Sequence, residues 1–387
     1  MIQANRLNFV EEYYFSKKLR EVSRLVSEGR DIINLGIGSP DLFPPQSSIL
    51  ALTKSLNYEN SHKYQSYQGI PEFRQEISNY YQVFFNTKLC PENEVLPLIG
   101  SKEGIMHISM AFLNPGDKVL IPNPGYPTYK SVSQIVGAEL VEYNLQADNH
   151  WFPDFEAIET QDLTDVKIMW VNYPNMPTGQ PASMALFKRL VAFGKKHNIL
   201  IVNDNPYSFI LNDNPLSIFS IPEAKDIALE LNSLSKSHNM AGFRVGMVAG
   251  NAEFINHILK IKSNMDSGMY KPLQLAAVKA LKSEPDWYKA INAEYAQRRK
   301  LVYDIFDKIN ATYSTDQKGM FVWAKIPDGN KDAYAFSDLF LHEASVFLTP
   351  GGIFGSNGDN YIRISLCSPQ DKLKESLKRI EQVLIKN

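Results

Sequence analysis

The chain has 387 residues, 44% of them hydrophobic, with 40 basic against 42 acidic residues and a formal charge of −2. That balance gives no electrostatic reason to expect nucleic acid or an anionic membrane as a partner. The length exceeds what one compact core fills, so two domains are expected.

Residues 1–30 carry charges throughout and hold no apolar core of a signal peptide. Leu35-Gly-Ile-Gly38 reads as an extended arm ahead of the first domain. The run Leu98-Ile-Gly100-Ser101-Lys102-Glu103-Gly104 opens a helix that continues to Leu113. Short apolar runs at Val119-Leu-Ile121, 166–171, Ile199-Leu-Ile-Val202 and Val245-Gly-Met-Val248 predict buried strands, and Leu186, Leu190, Val191 and Phe193 form a helical stripe over 183–197. Strand, helix, strand in this order predicts an α/β domain with a mostly parallel sheet over 45–285, with ligands at the carboxyl ends of its strands. After Pro285 the pattern changes to a long helix over 287–309, a strand at Phe321-Val-Trp323, a helix over 333–343, a strand at 361–365 and an amphipathic last helix. Residues 286–387 with 1–44 are expected to form a smaller α+β domain. No run approaches the roughly 18 consecutive apolar residues of a membrane span. The 7 histidines show no ligand spacing, so no metal site is expected. Cys90 and Cys367 make no metal or redox spacing and fit a reducing, cytoplasmic setting.

Four runs carry chemistry, and each has a plain alternative. Lys236, in Ser233-Leu-Ser-Lys236, lies between two apolar runs, where a lysine is costly unless paired or modified. Read alone it could sit on a surface loop. With Ser233 and Arg244 beside it, it suits an anion site for an aldehyde-bearing phosphate. Asp204 ends a strand run and can pair with a protonated ring nitrogen, or it can be an ordinary cap. The turn at Gly100-Ser101-Lys102 offers backbone N–H groups and a hydroxyl to a phosphate, but lacks the ending of a P-loop and could simply start a helix. Arg363, in Tyr361-Ile-Arg363-Ile-Ser, interrupts an apolar run and needs a carboxylate, from a substrate or from a structural Asp or Glu.

Together and in this order these runs resemble the class I/II aminotransferase family. So do Asn34-Leu-Gly-Ile-Gly38, Tyr64 with Gly69-Ile-Pro-Glu-Phe73, Pro115-Gly-Asp117, Pro124-Gly-Tyr126-Pro127 and Pro177-Thr-Gly179. The resemblance spans nearly the whole chain. It implies a pyridoxal-phosphate enzyme that moves an amino group between an amino acid and a 2-oxo acid in a ping-pong sequence, as a homodimer in which two subunits build each site. It further implies that Lys236 is the Schiff-base lysine and proton carrier, that Asp204 pairs with the pyridine nitrogen and that Tyr207 donates to the phenolic oxygen. Tyr126 would stack on the ring, and Ser101, Lys102, Ser233 and Arg244 would hold the phosphate, with Tyr64 reaching it from the partner subunit. Arg363 would bind the substrate α-carboxylate, helped by the backbone near Gly38.

One position departs from the family. Its asparagine donor to the phenolic oxygen falls at Met176, in Asn172-Tyr-Pro-Asn175-Met176-Pro-Thr-Gly, and a thioether cannot donate. Asn175 is expected to take over that place through a shifted turn; otherwise Tyr207 donates alone. The stretches 95–105 and 123–127 are most similar to the LL-diaminopimelate aminotransferase branch. Aspartate, alanine, aromatic and succinyl-diaminopimelate aminotransferases stay open, as does a lyase on the same fold. A regulatory protein built on the fold would carry an added basic DNA-binding module, which the sequence does not show.

Overall fold

A computed structural model describes residues 3–9 and 14–386. Its strands in chain order are β1 (Ile33–Asn34), β2 (Val95–Leu98), β3 (Lys118–Asn123), β4 (Glu139–Asn144), β5 (Val166–Val171), β6 (Leu200–Asp204), β7 (Ala228–Ser233), β8 (Gly246–Ala249), β9 (Thr312–Tyr313), β10 (Phe321–Lys325), β11 (Val346–Phe347), β12 (Thr349–Pro350) and β13 (Tyr361–Ser365).

Seven of these form one sheet in the order β2-β8-β7-β6-β5-β3-β4. Pairing is parallel from β4 through β7, and β8 runs antiparallel to both β7 and β2. Both faces of the sheet are covered, which is why its strands read as continuous apolar runs. Along β5 the side chains alternate: Ile168 and Trp170 enter one core, Met169 and Val171 the opposite one. The helix Met184–His197 shows how the sequence sets its own bounds. Ser183 caps it by accepting from the Leu186 amide at 3.1 Å, Lys195, Lys196 and His197 lie at the negative end of its dipole, and Asn198 closes it in the left-handed conformation. Leu186, Phe187, Leu190 and Val191 are buried against the sheet.

A second sheet, β12-β13-β10-β9, is antiparallel and packs in its own core with the helix Pro285–Lys308. The expected arm, residues 35–38, is irregular and follows β1, which pairs in parallel with β11, and the Leu35 amide donates to the Phe347 carbonyl at 3.0 Å. The helix expected over 333–343 is α-helical only over Ala333–Leu339 and continues as a single π turn, Phe340–Ala344. Within the expected small domain, residues 1–2, 10–13 and 387 lie outside the described residues. No helix among the described residues is long and apolar enough to cross a membrane.

Candidate active site

The carboxyl ends of the parallel strands converge on a cavity of about 510 Å³. Gly38, Ser101, Lys102, Tyr126, Asp204, Tyr207, Ser233, Lys236, Arg244 and Arg363 all line it. They are far apart in sequence. Register brings them together: Asp204 lies opposite Leu231 on β7, Ser233 opposite Gly246 on β8, and Leu98 also opposite Gly246.

Lys236 follows β7 in a four-residue helix, Leu234–Ser237, and its ammonium donates to the carbonyl of Gly38. Burial lowers its pKa first, Arg363 and Arg244 lower it further, and Cys367 and Asp204 oppose them. That is the direction an amine needs if it is to be a nucleophile.

Asp204 is buried at the end of β6 and caps no helix. One oxygen, Oδ2, accepts from the Tyr129 hydroxyl at 2.9 Å, and the other, Oδ1, has no protein partner. Burial pushes its pKa up to about 6, against the hydrogen bond from Tyr129 and the charge of Lys236. A buried carboxylate with one open oxygen on a cavity suits a cationic ring N–H.

At the other side the helix Ser101–Phe112 begins at Gly100 with no side-chain cap, so its first amides are left for an anion. Arg244 stands over this end. A Cβ on Gly100, whose φ is +85°, would lie 2.2 Å from the Arg244 guanidinium, so glycine lets Arg244 lie against the helix start. Lys102, Ser101 and Ser233 border the same space. The site thus fits pyridoxal phosphate on two independent grounds, an open anion cradle and an open buried carboxylate oxygen.

Arg363 sits in the middle of its sheet, opposite Trp323 and Thr349. Its guanidinium lies 3.9 Å from the centre of the Phe321 ring and 4.6 Å from that of Phe354. It donates to the Gly36 carbonyl at 3.1 Å and to the Met176 sulfur at 3.3 Å. Two aromatic faces and two weak acceptors orient the planar fork, the form of cation that binds carboxylates in pairs of hydrogen bonds.

Two expected residues lie elsewhere. Asn175 is buried outside the cavity: its amide donates to the Asn172 carbonyl at 3.2 Å, and its oxygen accepts from the Thr178 amide and hydroxyl. Asn175, expected at the donor position, is thus placed with its amide held by the turn itself. Met176 takes the place on the wall. Tyr64 is 90% exposed and absent from the lining. The sequence reading missed Tyr129 and Asn172. Asn172 lines the cavity, donates to the Asp204 carbonyl and accepts from the Met176 amide at 2.7 Å. The available signal was position: both stand within three residues of a strand end or of Tyr126. Away from the cavity, Glu103, His107 and Asp266 offer donor atoms within 4.8 Å of one another. The buried ammonium of Lys262 is 2.7 Å from Asp266 and supplies the positive charge there.

Comparison with known proteins agrees with this geometry. Residues 30–380 match the family described as aminotransferase class I and II. The LL-diaminopimelate aminotransferase of Maridesulfovibrio salexigens is 41% identical, over 98% of this chain and 98% of its own. That of Nitratidesulfovibrio vulgaris is 39% identical, over 97% and 98%. Among solved structures, substrate-bound BacF from Bacillus subtilis has a TM-score of 0.95 at 34% identity, covering 99% of this chain and 98% of that one. An aminotransferase from Staphylococcus aureus gives 0.90 at 31%, covering 99% of each. The chain belongs to the class I and II aminotransferase family, and it is an enzyme, a transaminase that depends on pyridoxal phosphate.

Proposed function

We propose that the cavity between Lys236 and Arg363 transfers the amino group of an L-amino acid to a 2-oxo acid in two half-reactions, with LL-diaminopimelate and 2-oxoglutarate as the first pair to test. The observation that carries this is the meeting of a lysine of lowered pKa, a buried carboxylate with an open oxygen and an aromatic-clamped arginine in one cavity. Pyridoxal phosphate, when bound, supplies a carbonyl carbon for the amino group and a ring that withdraws electrons from the substrate α-carbon.

The protein's own groups do the rest. Ser101, Lys102, Ser233 and Arg244 hold the phosphate, Tyr126 covers the ring, Asp204 keeps its nitrogen protonated and Tyr207 donates to its phenolic oxygen. Arg363 binds the α-carboxylate and so fixes which bond of the α-carbon faces Lys236. Lys236 would hold the cofactor's carbonyl carbon and, as a free amine facing the α-carbon, would carry the α-proton. Gly38 supports it through the carbonyl that accepts from its ammonium. The amino acid and the 2-oxo acid would use the same cavity in turn, the first product leaving before the second substrate enters, which gives ping-pong kinetics.

Each site is completed by a partner subunit in a cytoplasmic homodimer. Tyr64, 90% exposed, is free to reach the neighbouring subunit's cofactor. The LL-diaminopimelate assignment is supported by eight curated relatives at 36–41% identity that bear that activity in their names. A large apolar or aromatic donor is the second reading, because Leu19, Ile37, Ile353 and Phe354 also line the cavity and Asp204 is the one carboxylate in its described lining. A panel of amino donors with 2-oxoglutarate, read by the change in cofactor absorbance, tests both. Turnover with LL-diaminopimelate favours the first, turnover with phenylalanine or leucine the second. Release of more than one product per site without any oxo acid would contradict transamination in favour of a lyase.

A further inference from the structure

Tyr129 stands in the first turn of the helix Pro127–Ile135 and is 1% exposed. Its ring is stacked on Trp170, centroids 5.0 Å apart and planes 6° from parallel, and meets Tyr126 edge-on at 5.5 Å. Trp170 is itself fully buried in the middle of the sheet. The ring is therefore held on both sides, and its hydroxyl has one place to point, Asp204 Oδ2 at 2.9 Å.

We propose that Tyr129 is a positioning residue for the reaction: its hydroxyl grips one oxygen of Asp204, keeping the carboxylate ionised with the other oxygen facing the cofactor's ring nitrogen. This rests on the reading of Asp204 given above. Three observations carry it. The main chain of Asp204 is already fixed by Asn172, which donates to its carbonyl, so the carboxylate's rotation is the freedom left to control. Tyr129 is the one side chain that donates to the Asp204 carboxylate among the described residues, and Oδ1 is open. The charged groups around Asp204 act against each other, Lys236 favouring its ionised form and the buried Glu230 on the neighbouring strand opposing it. Burial works hardest against the ionised form, and the Tyr129 hydroxyl is the largest effect that opposes it. Burial, and next the charge of Asp204, push the Tyr129 phenol pKa well above its usual value, so the group stays a donor at any working pH.

Asp204 and the ring nitrogen compete for a proton, and their titration is that of a pair. A donor on Oδ2 makes the carboxylate a weaker base and leaves the proton on nitrogen. Removing the donor returns the proton toward Asp204.

The test is holoenzyme loaded with cofactor labelled with ¹⁵N in the ring, as wild type, Tyr129→Phe, Asp204→Asn and the double variant. Phenylalanine keeps the stack on Trp170 and removes only the hydroxyl. We expect its ¹⁵N signal to move toward the unprotonated position and its cofactor dissociation constant to rise on the order of tenfold, the effect of one hydrogen bond to a charged acceptor. The double variant should then be no worse than Asp204→Asn alone, because the hydroxyl acts through that carboxylate. An unchanged signal and affinity in Tyr129→Phe, with only its melting temperature lowered, would reduce Tyr129 to packing and overturn the proposal. If Asp204→Asn itself leaves the ¹⁵N signal unchanged, the reading of Asp204 fails and the proposal with it, an outcome distinct from the first. Should Tyr129→Phe not fold, fluorotyrosine placed at 129 keeps the ring and donates more strongly. It must move the signal toward the protonated position, and no movement would count against the proposal.

Discussion

Asp204 is held at one oxygen and open at the other, a state that costs stability until a cation fills it. The cost has a sign that pH reveals. Its folded pKa of about 6 lies above the ordinary 3.8, so folding of the cofactor-free protein takes up a proton between these values. Its penalty is full above about 6 and vanishes as pH falls toward 3.8. Cofactor-free Asp204→Asn should therefore exceed wild type at pH 8 by up to about 3 kcal/mol, the worth of two pKa units. Urea titrations of both proteins from pH 4 to 8 check this, and a gap that does not close on acidification would contradict it. With cofactor bound the order should reverse, and Asp204→Asn should transaminate far more slowly. Met176 offers a second residue-scale test. It lines the cavity where the family places an asparagine donor, and Asn175 is occupied in its own turn. Met176→Asn should lower the pH midpoint of the cofactor's visible absorbance change by about one to two units, the worth of one such hydrogen bond. Asn175→Ala should leave that midpoint in place, and a shift there would put Asn175 back at the cofactor.

At the scale of elements, the site exists because strand ends and one helix start are brought to the same edge. Gly100 joins β2 to the helix Ser101–Phe112, and its missing side chain is the room the Arg244 guanidinium takes over the helix start. Gly100→Ala should raise the cofactor dissociation constant at least on the order of tenfold, since the Arg244 guanidinium must leave its place. Gly29, also at positive φ but with nothing within 4 Å of an added Cβ, is the control. Gly29→Ala should show strain without loss of cofactor affinity, as fluorescence titration would show. Much of this was legible in the chain. Runs such as Val166–Val171 are apolar on both faces because both faces are covered; Asp204 and Lys236 stand out as polar residues at or just after strand ends, and Arg363 as a charge in the middle of an apolar strand. The antiparallel sense of β8 was not legible, since an apolar run carries no direction. Nor was the role of Tyr129, because its contact with Asp204 spans 75 positions and depends on register and on the stack with Trp170. The orientation of Asn175 was not legible for a related reason: whether a buried amide turns inward or outward is decided by Thr178 and the loop carbonyls, not by the order of residues.

For the whole molecule, the proposed homodimer would bring Tyr64 of one subunit to the cofactor held by Lys236 of the other. If Tyr64 serves the partner's site, mixing inactive Tyr64→Ala subunits with inactive Lys236→Ala subunits builds heterodimers that each hold one intact site. Random exchange of equal amounts should restore roughly a quarter of the wild-type rate, as two-fold symmetry requires. No recovery after confirmed exchange would place Tyr64 outside the site. The most direct test is chemical. Borohydride reduction of the loaded enzyme, followed by proteolysis and mass spectrometry, should find the cofactor fixed to the peptide that carries Lys236, and Lys236→Ala should show neither the label nor the visible band. Label on another lysine, or reducible cofactor retained covalently by Lys236→Ala, would contradict the account.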